Sequence, residues 1–267
     1  MAIWQAILLG LVQGFTAFLP VSSSGHLSLM EHILGTPESG TLLTMMFHLG
    51  ALAAVIAVFW KDLWMLVRQP RHKLMYMMLI ATVPLLVSIL LLGGVFASAY
   101  QQSNVQGLVL AIGFLISGLT LFAAGQFFDN GEKKLKQFCW KESGIIGLSQ
   151  ILAVIPGISR LGTTLSAAMA SGLDRPFALR FVLLLSAPSL LISVLCEGFQ
   201  LIGNDVAPTV DFWGAILGLL AAMLAGYAAI RLLLKILSRG KLQYFAYYLG
   251  GLTVLLLLDQ FVFRLFF

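Results

Sequence analysis

Residues 147–164 read Gly-Leu-Ser-Gln-Ile-Leu-Ala-Val-Ile-Pro-Gly-Ile-Ser-Arg-Leu-Gly-Thr-Thr. They lie inside an apolar segment, 143–172, whose middle cannot be a plain helix. Pro156 lacks a backbone donor, Gly157 and Gly162 loosen the backbone, and Arg160 sets a full charge among apolar neighbours. An earlier stretch matches it. Shifted by 137 positions, residues 10–25 lie over 147–162 without a gap, pairing Gly10 with Gly147, Leu11 with Leu148, Gln13 with Gln150, Ser22 with Ser159 and Gly25 with Gly162. Interrupted segments at corresponding places in two halves of a membrane chain point to a binding site between the halves.

The rest of the chain supplies the membrane. Of 267 residues 60% are hydrophobic and 10% charged, with a mean hydropathy of +0.97. A soluble domain averages about 25% charged residues. Apolar segments run over 2–19, 41–60, 73–95, 105–125, 143–172, 178–200, 210–237 and 243–266. Most can cross a hydrocarbon core of about 30 Å, which takes about 20 helical residues. The N-terminal segment lacks the basic region and cleavage site of a signal peptide, so 1–19 reads as part of the mature fold.

Charge orients the segments. Fourteen of the sixteen Lys and Arg residues fall in four clusters: Lys61 to Lys73, Lys133 to Lys141, Arg175 with Arg180, and Arg231 to Lys241. Glu31, Glu38, Glu197, Asp205 and Asp211 read as belonging to the other loops, which hold no basic residue. By the positive-inside rule the basic clusters are cytoplasmic. So dispersed a charge is no nucleic-acid surface, despite a net charge of +5. Cys139 and Cys196 read as lying towards opposite faces, so no disulfide between them is expected. Segment 143–172 then starts and ends inside, as a re-entrant hairpin, and 2–34 enters from the opposite face. The expected fold is all-α: one polytopic membrane domain, 1–267, with inverted-topology repeats 1–125 and 143–267 and two re-entrant helical hairpins whose tips meet in the membrane.

At those tips lie the candidate site residues. Arg160 has no carboxylate near it in sequence, and its planar fork suits a phosphate; a structural Arg bonded to helix-end carbonyls is the alternative. Ser159, Thr163 and Thr164 offer hydroxyls, Gly162 allows close approach, and a helix starting there would aim N–H groups at an anion. Such small residues also serve ordinary membrane helix packing. In the first tip Ser22, Ser23, Ser24 and His26 cluster after Pro20, and a Ser and a His three apart can form a nucleophile–base pair or merely cap helices. His32 and His72 read as interfacial and His48 as an interhelical hydrogen bond. No cluster has metal-site spacing.

The run from Gly10 to His26, ending Phe-Leu-Pro-Val-Ser-Ser-Ser-Gly-His, resembles the first signature of the undecaprenyl-diphosphate phosphatase (bacitracin-resistance) family. Pro156 to Thr164 resembles its second, and Phe47-His48-Leu49-Gly50 and Ala178-Leu179-Arg180-Phe181 fall in family-like places. The resemblance implies removal of the terminal phosphate of a C55 polyprenyl diphosphate, recycling the lipid carrier for cell-wall synthesis. It implies a multi-pass protein of the bacterial cytoplasmic (inner) membrane, a site open to the extracytoplasmic side, and a divalent cation, Mg²⁺ or Ca²⁺. Carried over by position, Arg160 clamps the diphosphate, helped by Ser159, Thr164, Ser22 and Gly162. His26 becomes the acid/base, Ser23 the nucleophile or a phosphate ligand, and Gln13 the first member of a Glu/Gln-x-x-x-Glu element. The last member of that element, a cation-holding glutamate, is Ala17 here. No acidic residue is then left at membrane depth, and the resemblance implies an enzyme impaired as written. Leu161 and Val182 stand where the family often has serine. Expected partners are the polyprenyl diphosphate lipid, the bilayer and a second copy of the chain, but not nucleic acid. A polyprenyl-phosphate flippase or other transporter, or a non-catalytic relative, is the alternative, since inverted repeats with broken helices also build transporters.

Overall fold

In a computed structural model of the protein, residues 1–36, 39–127, 130–203, 210–237 and 242–267 are described. Glu38, Asp205, Arg239 and Lys241 lie outside them. Among the described residues the chain is helical throughout, with one isolated bridge between Lys133 and Leu173 and no strand. The helices are α1 Ile3–Ala17, α2 Ser23–Leu34, α3 Thr41–Arg68, α4 Lys73–Ser88, α5 Gly94–Gln101, α6 Gln106–Phe127, α7 Trp140–Ser149, α8 Arg160–Ala170, α9 Arg175–Gly203, α10 Phe212–Leu237 and α11 Gln243–Leu258. A π-turn over Ile89–Gly93 joins α4 to α5 as one long rod.

Among the described residues six helical stretches are long and apolar enough to cross a bilayer: α3, the α4–α5 rod, α6, α9, α10 and α11 extended to Phe263. Their outer faces carry exposed leucine, valine and phenylalanine, among them Leu90, Leu91, Leu224, Leu255 and Phe261. Water would not tolerate such a surface and lipid requires it. The protein is a multi-pass membrane protein.

Each half of the chain runs in the same order: a broken hairpin, then three long helices. Among the described residues three membrane-length stretches, α3, the α4–α5 rod and α6, separate the two hairpins. The halves interlock rather than sit side by side. Helix α1 packs along α10, and α7 packs along α4. Both seams need a residue without a side chain. A methyl group at Gly10 would run into the Gly218 carbonyl, and one at Gly147 would lie 2.8 Å from the Ala81 carbonyl oxygen.

Several elements run further than their apolar runs suggest. The stretch expected as a cytoplasmic loop from Lys61 begins as helix, because α3 continues through a kink at Phe59 to Arg68. Leu66 is buried there, while Lys61 and Arg68 lie over the rings of Trp60 and Trp64 at 5.9 and 4.8 Å. The charged heads reach the interface and the stems stay on the helix. Helix α9 likewise runs on to Gly203, which places Glu197 on a membrane helix instead of in a loop.

The open end of the second hairpin is tied shut. Lys133 Nζ donates to Glu142 Oε1 at 2.9 Å and to the Ser171 carbonyl at 3.0 Å, joining the start of α7 to the end of α8. Its backbone donates to Gly172 O and accepts from Asp174 N. Glu142 accepts from the Cys139 N–H at 2.9 Å. Both cysteines are free. At the other end of the molecule buried Asp259 accepts the N–H groups of Leu265, Phe266 and Phe267, and the Phe267 ring stacks on His32 at 4.2 Å.

Candidate active site

Two serines start the two returning helices. Ser22 is the N-cap of α2, its Oγ accepting from Gly25 N at 3.4 Å; Ser159 is the N-cap of α8, accepting from Gly162 N at 3.0 Å. These are the residues paired by the 137-position shift, so the repeated letters encode one cap used twice. Each Ser oxygen satisfies an N–H that the first helical turn leaves free. The remaining free N–H groups, and the positive end of each helix dipole, face the tips.

The tips touch. A methyl group at Gly25 would lie 3.0 Å from Gly157 Cα, and one at Gly162 would lie 3.5 Å from the Pro20 carbonyl oxygen. Gly157 turns the second tip at φ +89°, which suits glycine, and Ser22 takes φ +71°, which does not. A non-glycine residue held there costs about 1–3 kcal/mol and persists only where its surroundings enforce it. Helix α6 braces the second tip: Ser117 Oγ accepts from Ser159 N at 2.8 Å and donates to the carbonyls of Gly113 and Gly157 at 2.9 and 3.2 Å.

Between the tips lies a chamber of about 80 Å³. Gln13, Ala17, Ser22, Ser23, Ser159, Arg160 and Thr164, all expected at the site, line it. Gly162, also expected there, is buried in α8 and does not line the chamber. Arg160 Nε is buried without a hydrogen-bond partner. Among the described residues Ser23 and Gln13 make no side-chain hydrogen bond, whereas Gln150, the repeat partner of Gln13, is braced by Ala81 O at 2.7 Å and Ser189 at 3.1 Å. Thr164 spends its hydroxyl proton on the Arg160 carbonyl at 2.8 Å, so it stands as an acceptor and not as the donor expected.

Two expectations are corrected. The Ser23–His26 pair is not formed. His26 Nδ1 lies 2.8 Å from the Ser22 carbonyl and Nε2 lies 2.7 Å from Tyr248 Oη, so both nitrogens are engaged away from Ser23. A carbonyl can only accept, hence Nδ1 carries the proton and Nε2 accepts from the phenol. The ring folds back on its own cap and packs against Phe114, 5.2 Å between centroids. The second correction concerns charge. Arg160 does have carboxylates in its surroundings, for it also lines a vestibule of about 430 Å³ shared with Glu31 and Glu197. Glu197 accepts from His48 Nδ1 at 2.8 Å, and His48 lines the inner chamber. The interhelical bond expected of His48 is present, joining α3 to α9.

The residues missed from sequence have one visible signature. Ser186, Ser189, Ser193, Glu197 and Gln200 recur every three or four residues along α9 and line chamber and vestibule in turn. That spacing makes one helical face. Ser117 and Tyr248 carried no such signal. The divalent cation implied by the resemblance finds no donor set: among the described residues no three His, Cys, Asp or Glu side chains converge, and no acidic residue lines the chamber. The residues present do not fit a protein-held cation.

Fold and site define a polytopic membrane protein with a cationic chamber between two intramembrane helix N-termini. The family described as bacitracin resistance protein BacA matches residues 6–255, and the chain belongs to that family. It is 37% identical over 257 residues to the undecaprenyl-diphosphatase of Carboxydothermus hydrogenoformans, covering 95% of this chain and 97% of that protein. It is 36% identical to undecaprenyl-diphosphatase 3 of Bacillus cereus, covering 96% and 97%, and 34% identical to the undecaprenyl-diphosphatase of Alkaliphilus metalliredigens, covering 96% and 98%.

Proposed function

We propose that the protein hydrolyses undecaprenyl diphosphate to undecaprenyl phosphate and inorganic phosphate, recycling the lipid carrier for cell-wall synthesis. The observation that carries this reading is the buried, unpartnered guanidinium edge of Arg160 between two helix N-termini. Such a charge deep in a membrane protein is tolerated when a ligand completes it, and dipole ends plus a planar fork select a phosphate. Arg160 binds the diphosphate, Ser23 and Ser159 hydrogen-bond its oxygens, and Gln13 orients the terminal phosphate. Mg²⁺ or Ca²⁺ is expected of such a phosphatase, but no acidic residue of the chamber would hold it. Ala17 leaves turnover lower than a carboxylate at that position would give.

The same reading makes 1–125 and 143–267 inverted repeats of a protein in the bacterial cytoplasmic membrane. The vestibule, at the ends of α2, α5 and α9 remote from the basic clusters, then opens to the extracytoplasmic side. Transport of a polyprenyl phosphate is the second reading, favoured by Ala17. Phosphate release from long-chain polyprenyl diphosphate by the purified protein in detergent decides between them. The phosphatase releases inorganic phosphate, and a transporter that binds the lipid releases none.

A further inference from the structure

Hydrolysis leaves one proton without a destination. Water attacking phosphorus needs a base, Ala17 offers none, and both nitrogens of His26 are engaged. The imidazole that lines the chamber is His48 of α3. Its Nδ1 lies 2.8 and 3.0 Å from the two carboxylate oxygens of Glu197. A carboxylate accepts, so the proton is held on Nδ1 and the lone pair sits on Nε2, which has no hydrogen-bond partner among the described residues. The pair is little exposed, at 18% and 16%, yet both members stand on cavity wall, His48 in the chamber and Glu197 in the vestibule. Arg160 lines both spaces.

A helix tether accounts for this arrangement poorly. Helices α3 and α9 are already clamped by Arg180 and Asp62, 2.6 Å apart. A tether would serve as well away from the chamber. A carboxylate beside the anion-binding arginine also weakens anion affinity, which a site that only binds would avoid. A histidine oriented by a carboxylate, with its other nitrogen free, is the arrangement that accepts a proton during attack on an electrophile.

Resting on the phosphatase reading, we propose that His48 is the general base of this protein's hydrolysis and that Glu197 is its positioning residue. The oxygen of water bonds to the terminal phosphorus as the bridging bond to the inner phosphate breaks. The bonding pair leaves with the polyprenyl monophosphate. The water proton passes to His48 Nε2, and the imidazolium is stabilised by Glu197. Inorganic phosphate departs and the proton returns to solvent.

The test measures phosphate release and lipid binding separately, on the full-length protein in detergent with long-chain polyprenyl diphosphate. In His48→Gln, kcat should fall by about 10²–10⁴-fold, the usual share of a general base, with KM little changed. Glu197→Gln, whose amide oxygen still accepts from Nδ1, should lower kcat in the same sense and by less, again with KM held. Added imidazole should restore part of the turnover of His48→Ala, an outcome no structural role produces, and this arm decides if His48→Gln fails to fold. Undiminished kcat in His48→Gln, a change in KM alone, or no rescue by imidazole overturns the assignment of His48. Absence of phosphate release from the unchanged protein overturns the phosphatase reading itself.

Discussion

Arg160 shows how one residue can cost a membrane protein stability and return function. Holding an arginine at the bilayer centre costs about 2.5–3.5 kcal/mol on insertion scales, and here Nε is left without a partner among the described residues. Hydrogen bonds to a charged group contribute about 1.5–3 kcal/mol each. Arg160→Ala should therefore raise the Kd for polyprenyl diphosphate by about tenfold to a hundredfold. Arg160→Lys should recover only part of the loss, because an ammonium cannot present two parallel donors. Equilibrium binding of the lipid in detergent checks both. Ala17 gives the complementary case. It lines the chamber with Gln13, Ser23 and Arg160, so Ala17→Glu should raise kcat by at least about tenfold while Kd moves little. A carboxylate there acts on the transition state, whereas Arg160 and the lipid tail supply ground-state binding. At this scale Arg160, Ser23 and Ser159 were legible because a polar residue in an apolar run stands out. Glu197 was not, since an acidic residue three positions from the end of the apolar run 178–200 reads as part of the loop that follows.

At the scale of elements, the repeated letters turn out to specify two jobs, a Ser cap three residues before a Gly and a Gly where helices cross. Gly10 sits where α1 meets the Gly218 carbonyl of α10, while nothing approaches Gly250 of α11. Gly10→Ala should destabilise the protein by about 1–3 kcal/mol, the usual cost of overpacking. Gly250→Ala should stabilise it by up to about 1 kcal/mol, since alanine suits a helix interior better. Thermal unfolding of the two variants in one detergent gives the contrast. The Lys133–Glu142 clasp makes a second prediction. Burial alone would raise the Glu142 carboxyl, but hydrogen bonds from Cys139 and Lys133 win and lower it from 4.5 to about 2. A carboxyl depressed on folding stabilises above its unfolded value and loses that contribution as pH falls through its folded one. Glu142→Gln should thus unfold at lower temperature than the unchanged protein near neutrality, with the difference closing as pH falls from about 4.5 towards 2. Proteolysis at Lys133 should follow the same course.

At the scale of the whole molecule, basic and aromatic residues meet at one membrane face. Lys61 lies over Trp60, Arg68 over Trp64, Lys141 over Trp140 and Arg231 over Tyr227, each within 6 Å of the ring centre. Rings at the headgroup level with cations beside them are how a membrane interface is anchored. With Cys139 and Cys196 replaced by serine, an impermeant maleimide applied to intact cells should label Ser39→Cys, on the vestibule wall, and spare Arg71→Cys. The opposite pattern would reverse the orientation proposed for the chain and its repeats.

The sequence alone determined the solvent, the all-helical class and the places where two apolar segments are broken, because these follow from local properties: apolar length, charge between segments, and proline and glycine within them. It also marked the arginine and serines that line the chamber. Only the tertiary structure decided what those residues face. That α1 seats on α10 and α7 on α4, that His26 turns to Tyr248 and away from Ser23, and that Glu197 meets His48 are outcomes of packing between helices distant along the chain. Such partners are chosen by shape and by the need to satisfy polar groups where no water reaches, and neither is written in any single segment.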